Sequence, residues 1–223
     1  MANAYGIQFA GAERLRITQL DDCGLTEGSY VVYGPETIAE IKFSEEIDAP
    51  EDRERKGSNG RLQGSISQIP TSKYRNITIT ANARVPELDH ILRGARLILN
   101  ASGNSTGAGM SSQTNEKVSL EIVAPEDVDV CGSGAQDLWF LFPLTTRWTE
   151  DGDTTLNGAD PGQVVYVGRG YANTSYDNPF TIWTETDPSG TATQVFVDTE
   201  NFVYNKFAAA SRPALQGTLT TAP

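Results

Sequence analysis

An antiparallel β-sandwich or barrel with one short flanking α-helix is the fold this sequence predicts, and three observations predict it. Apolar residues recur at period two in many short stretches, the spacing of half-buried strands. One stretch only, Val85 to Gly94, switches to helical spacing. The 223 residues include 21 Gly and 11 Pro, with 38% hydrophobic content, which suits many short strands joined by turns better than long helices. A chain of this length reads as one large all-β domain. We take residues 1–223 as that domain, with extended arms at 1–13 and 208–223.

The first strand is Arg14 to Leu20, with Leu15 and Ile17 on one face and Arg14, Arg16 and Thr18 on the other. Asp21 to Gly24 is a turn signal. A strand follows over Glu36 to Ser44, rich in strand formers at Ile38, Ile41 and Phe43. From Glu45 to Gly60 the chain is charged, apolar only at Ile47 and Ala49 and closed by Gly57 and Asn59-Gly60, so it reads as a long exposed loop or hairpin tip. Strands resume over Arg61 to Gln68. After a turn at Pro70 to Ser72 comes Tyr74 to Ala83, where Ile77, Ile79 and Ala81 alternate with Thr78, Thr80 and Asn82.

The helix, about residues 86–93, has Pro86 at its start, Glu87 and Asp89 in its first turn, and Arg93 then Gly94 at its end. Each choice matches dipole and capping rules. Leu88, Ile91 and Leu92 form its apolar stripe. Asn100 to Thr114 is rich in Gly, Ser, Asn and Thr without periodicity and reads as a mobile loop. Further strands are expected over Lys117–Val123, Leu138–Trp148, Gln163–Gly170, Phe180–Thr184 and Thr193–Tyr204. Turn-rich stretches at Thr149–Gly162 and Asp187–Gly190 separate two pairs of these. The tail from Ala208 to Pro223 has little to bury and reads as an extended arm.

Charge excludes several roles. With 17 Lys+Arg against 29 Asp+Glu the net charge is −12, against a protein that grips phosphate backbones. No apolar run approaches the roughly 18 residues that cross a bilayer, and the first ten residues lack the basic start and apolar core of a signal peptide. With only Cys23 and Cys131 a disulfide framework is excluded, although one bridge is not, and two separate thiols is the plain expectation.

Catalytic signatures fail one by one. His90 is the lone histidine, read as a surface residue on the polar side of the helix, so no Ser-His-Asp or Cys-His arrangement has support. No His/Cys cluster suggests zinc. Asp151-Gly-Asp153 begins like a calcium loop, but Thr155 and the remainder break the pattern. Gly132-Ser-Gly134 lacks the spacing of a nucleophile elbow, and Gly103–Gly109 lacks the Lys of a phosphate loop. Trp139, Trp148, Trp183, Tyr166, Tyr171 and Tyr176 suit core and cross-strand packing better than a sugar platform. No cofactor, metal or enzyme activity is expected.

Five segments in order carry a resemblance: Arg14 to Gly24, Ile38 to Asp48, Gly57 to Arg61, Tyr74 to Thr80 and Pro86 to Gly94. Together they resemble the major tail (tail tube) proteins of long-tailed, siphovirus-type bacteriophages, closest to those infecting actinobacteria. The likeness covers roughly the first 100 residues. Gln63-Gly-Ser65 departs from the Cys-containing strand of such proteins.

The resemblance implies a virion protein, assembled in the host bacterial cytoplasm, that forms homohexameric rings stacked into a hollow tube. Sheets of neighbouring subunits would join to line the lumen. A long loop between early strands would reach the next ring, here carried by Glu45, Glu46, Asp48, Glu51, Asp52, Arg53, Glu54, Arg55 and Lys56. Its partners would be further copies of itself and the tape measure, tail terminator and distal tail proteins, with phage DNA passing unbound. Acidic walls would repel phosphates. The lumen candidates are Glu36, Glu40 and Lys42, placed opposite Ile41 and Phe43, and the polar face of Arg61–Gln68. The alternatives are a carbohydrate-binding β-sandwich module, or tail-associated glycan-binding protein, and a jelly-roll hydrolase with paired carboxylates.

Overall fold

One sixteen-residue strand organises the protein. The computed structural model describes residues 11–48, 53–56, 62–66, 71–110, 116–125, 136–152, 162–174, 201–208, 212 and 214–220. The strands are β1 (Arg14–Leu20), β2 (Thr26–Tyr33), β3 (Ile38–Asp48), β4 (Arg53–Lys56), β5 (Leu62–Ile66) and β6 (Thr71–Ala81). After helix α1 (Pro86–Arg93) come β7 (Arg96–Leu99), β8 (Ser105–Gly109), β9 (Val118–Pro125), β10 (Gln136–Asp151), β11 (Val164–Tyr171), β12 (Val203–Ala208) and β13 (Gln216–Thr220). Nine strands form one antiparallel sheet in the order β13-β2-β1-β9-β10-β11-β6-β3, with β12 also on β10.

The first half of β10 pairs with β9 and β12, and its second half with β11. Its register slips between Phe142 and Thr145 against β9, and between Thr146 and Thr149 against β11. Arg147, inside that irregularity, has a φ of 59°. Bulges bend a strand and re-aim its side chains, so β10 serves both halves of a sandwich. Leu15, Ile17, Val31, Leu120, Ile122, Phe140 and Phe142 line one half of the core. Ile38, Ile77, Ile79, Trp148, Val164 and Tyr166 line the other. Phe43 of β3 joins them, its ring 5.6 Å from Phe140 and 5.3 Å from Phe142. The mainly β antiparallel fold with one short helix is therefore as expected.

Helix α1 spans the expected residues. Pro86 opens it, and Gly94 closes it in the left-handed region at φ 67°, where a side chain would be strained. Leu88, Ile91 and Leu92 are all fully buried. An ion network centred on the buried Asp89 holds the helix to the sheet. Arg93 donates to Asp89 Oδ1 at 3.2 Å and to Glu150 Oε2 at 2.8 Å. Arg84 bridges the same two carboxylates, and the Tyr166 hydroxyl donates to Asp89 at 3.2 Å. Burial, then the Asp89 charge, push the Tyr166 phenol above its ordinary pKa. His90 corrects the surface expectation: it is half-buried, and its Nδ1–H donates to the Ala95 carbonyl at 2.6 Å. It ties off the helix end rather than facing water.

Several segments differ from the sequence reading. Thr26–Tyr33 is a strand, β2, where no strand was expected. Ser105–Gly109 is a strand too: β7 and β8 pair as a hairpin, so part of the expected 100–114 loop is ordered. Its turn is built by Asn100, whose side-chain oxygen accepts from the Ser102 and Asn104 amides at 2.9 and 3.0 Å. The expected turns at 70–72 and at 149–162 begin later or end earlier, since β6 starts at Thr71 and β10 runs to Asp151. Of the expected strand Thr193–Tyr204, Val203 and Tyr204 open β12, while residues 193–200 and the expected strand over 180–184 lie outside the described residues. So do Cys131, Gly132–Gly134, Tyr176, Trp183 and Asp187–Gly190.

The face of β1, β9 and β10 opposite this core is buried as well, at Arg16, Thr18, Ser119, Glu121, Val123 and Trp139. Glu121 sits across the ladder from Arg16, and neither carboxylate oxygen has a hydrogen-bond partner among the described residues. Burial raises its pKa well above the usual carboxylate range, with Arg16 opposing. A carboxyl raised on folding holds more protons in the folded state, so stability falls as pH climbs from its unfolded value of about 4.3. Glu121→Gln is therefore expected to raise the melting temperature by several degrees near pH 8 and to leave it nearly unchanged at pH 4. Melting curves that shift equally at both pH values would contradict this.

Candidate assembly surfaces

The two ends of the nine-stranded sheet are free edges of different kinds. At one end is β3, eleven residues long, paired to β6 on one side and to nothing on the other among the described residues. A row of open backbone donors and acceptors of that length is a template for another strand.

β3 and β6 also outrun the core. Ser44–Asp48 are exposed at every position, as are Thr71–Lys73 opposite them. The two segments make a ribbon with no buried face, and Ile47 is 53% exposed on it. Lys73 pairs with Asp48 at 3.1 Å and Arg75 with Glu45 at 3.7 Å. Such exposed pairs contribute little, and an isolated two-stranded ribbon is marginal in water. Within the chain, Asn201 Nδ2 donates to the Ser72 hydroxyl of the ribbon at 3.1 Å.

The sequence-expected site residues fall on this ribbon and beyond it. Glu45, Glu46 and Asp48 are not loop residues: they belong to β3, because the β6 ladder continues to Asp48 opposite Thr71. Glu51 and Asp52 lie outside the described residues. Arg53, Glu54, Arg55 and Lys56 form β4, paired with β5 from Arg53 opposite Ile66 to Lys56 opposite Leu62. The excursion is therefore strand continuation plus a separate hairpin. β5, expected within a lumen-lining sheet, pairs with β4 alone among the described residues.

The outer face of β3, β6 and β11 is polar on β3 and β6, with Val165 and Val167 of β11 beside it. Glu40 and Lys42 are exposed there and pair with each other at 2.7 Å. Lys42 lies opposite Thr78, and Thr78 opposite Val167. Arg169 stacks its guanidinium 4.6 Å from the Tyr74 ring. Glu40 and Glu46 on this face are matched in number by Lys42 and Arg169. Glu36 is not on it: it sits in the exposed turn before β3.

At the other end, β13 lies on β2 of its own chain. Part of the expected C-terminal arm is thus a strand of its own subunit. Apolar side chains are also exposed on the β7–β8 hairpin, with Ile98 at 54% and Leu99 at 56%. Nothing in the sequence reading singled out either feature.

Pocket chemistry is thin by comparison. Among the described residues no group of three His, Cys, Asp or Glu is placed to hold a metal ion. Trp139, Trp148 and Tyr166 are buried, while Tyr171 packs its ring 5.9 Å from Tyr74. Cys23 is exposed. No helix among the described residues is long and apolar enough to cross a membrane. No protein-family model matches the chain, and no curated protein matches it.

Proposed function

We propose that this chain is the structural subunit of a phage tail tube, closing into hexameric rings that stack into a conduit for DNA. The observation that carries the reading is the exposed β3–β6 ribbon, which leaves the core and leads into the β4–β5 hairpin. A subunit on its own has no use for two strands without a buried face, whereas a stacked ring meets its neighbour there. The free β3 edge supplies a lateral contact, since head-to-tail pairing generates rings when the rotation closes. The balanced Glu40, Glu46, Lys42 and Arg169 face suits a wall that neither holds nor strongly repels passing phosphates.

The subunit then acts without catalysis, metal or cofactor. It resides in the virion, and the tape measure, terminator and distal tail proteins are its other partners. A glycan-binding role draws less support, because the described tryptophans are buried. Mass measurement of single particles across a concentration series tests the proposal: species at multiples of six subunits are expected. A monomer at every concentration, or tight and salt-sensitive DNA binding, would contradict it.

A further inference from the structure

We propose that β13 is an exchangeable strand, and that the β2 edge of one copy accepts the β13 of a second copy. The C-terminal segment is held at its root and loosely beyond it. Asp137 is fully buried, and Arg212 closes on it as a fork, Nε to Oδ2 at 2.5 Å and Nη2 to Oδ1 at 2.7 Å. Two parallel charge-assisted bonds to a buried carboxylate make a strong, directional anchor. Arg212 also stands 3.8 Å from Glu13.

Past this clamp the hold weakens. Gln216 lies opposite Val32 and Thr220 opposite Tyr30, so four steps along β13 span only two along β2. Leu215 leans over Gly34 yet remains 54% exposed. A strand tethered this close to its root cannot run straight along β2. The same segment from another copy, rooted elsewhere, is free of that constraint and can add to the edge in regular register, the mode by which extended segments extend sheets. Eight residues run from Arg212 to the end of β13 at Thr220, a reach of about 26 Å when extended. The root stays on its own Asp137 while the strand changes hosts. Exchange of an identical element between copies needs no new surface.

Differently tagged Val32→Cys and Gln216→Cys chains, co-expressed with Cys23 and Cys131 replaced by serine, test this under mild oxidation. A disulfide-linked heterodimer on non-reducing gels is expected, since neither chain alone can form that bond. A double Val32→Cys/Gln216→Cys chain, diluted before oxidation, reports the contact within one chain. Efficient closure in the double chain with no heterodimer in the mixture would overturn the proposal. If Val32→Cys does not fold, Tyr30→Cys with Thr220→Cys gives the same reading. The readout does not require tubes: heterodimer without tubes would reject the tail-tube reading and keep strand exchange, and tubes without heterodimer would do the reverse.

Discussion

Gly168→Ala is expected to cost about 3 kcal/mol, at the upper end of what overpacking a core does, and to lower the melting temperature by roughly 6–12 °C for a chain of this size. A methyl group built on Gly168 would lie 2.5 Å from the Trp148 ring. The ring cannot step aside. Trp148 is 2% exposed, its Nε1–H donates to Thr145 Oγ1 at 3.3 Å, and Thr145 in turn donates to the Val118 carbonyl at 2.9 Å. The β10 irregularity that aims Trp148 inward thus depends on a residue without a side chain on the neighbouring strand. Trp148→Ala is expected to cost about 3–5 kcal/mol by leaving a cavity. The double variant should cost clearly less than the sum, because the methyl then enters vacated space. Denaturant unfolding of the three variants measures this. A Gly168→Ala protein within about 0.5 kcal/mol of the parent, the range of ordinary surface changes, would contradict the packing described.

Replacing residues 49–70 by Asn-Gly is expected to leave the subunit folded and to abolish stacking. Asp48 and Thr71 are directly opposite in the β3–β6 ladder, and a two-residue Asn-Gly turn joins antiparallel strands at that point. Among the described residues the β4–β5 hairpin pairs only with itself, so its loss removes no described ladder from the nine-stranded sheet. The melting temperature should therefore stay close to the parent's while the tubes disappear, leaving rings or free subunits. Long tubes from the shortened chain would show that the hairpin is not the contact between rings.

Two of the strands that were legible have a single buried face. Tyr74 to Ala83 and Gln163 to Gly170 alternate because one side meets the core and the other does not. The helix was legible because Pro86, the acidic first turn and Gly94 are local signals. β2 escaped because Val31 and Val32 are both buried, so its apolar residues run together and the alternation vanishes. β8 escaped because Ser-Thr-Gly-Ala-Gly offers nothing large to pack, and the Asn100 turn, the ladder and the Ser105 hydroxyl on Glu87 of α1 hold it. Composition mimicked a loop.

The residues proposed for assembly were half legible. Charge density marked Glu45 to Lys56 as an excursion, but not that Glu45–Asp48 continue β3, since a strand exposed on both faces has no period. The match of Glu40 by Lys42 could be read from their spacing on one face. The contribution of Arg169 depends on β11 lying beside β6, which no local pattern reports. The same holds for Arg212 and Asp137, 75 residues apart.

Negative-stain electron microscopy of the purified full-length chain at rising concentration tests the central claim most directly. Hollow tubes built of evenly spaced rings, six-fold in end view, are expected to appear as concentration increases. Single particles that remain dispersed at every concentration, or irregular aggregates without a lumen, would contradict it.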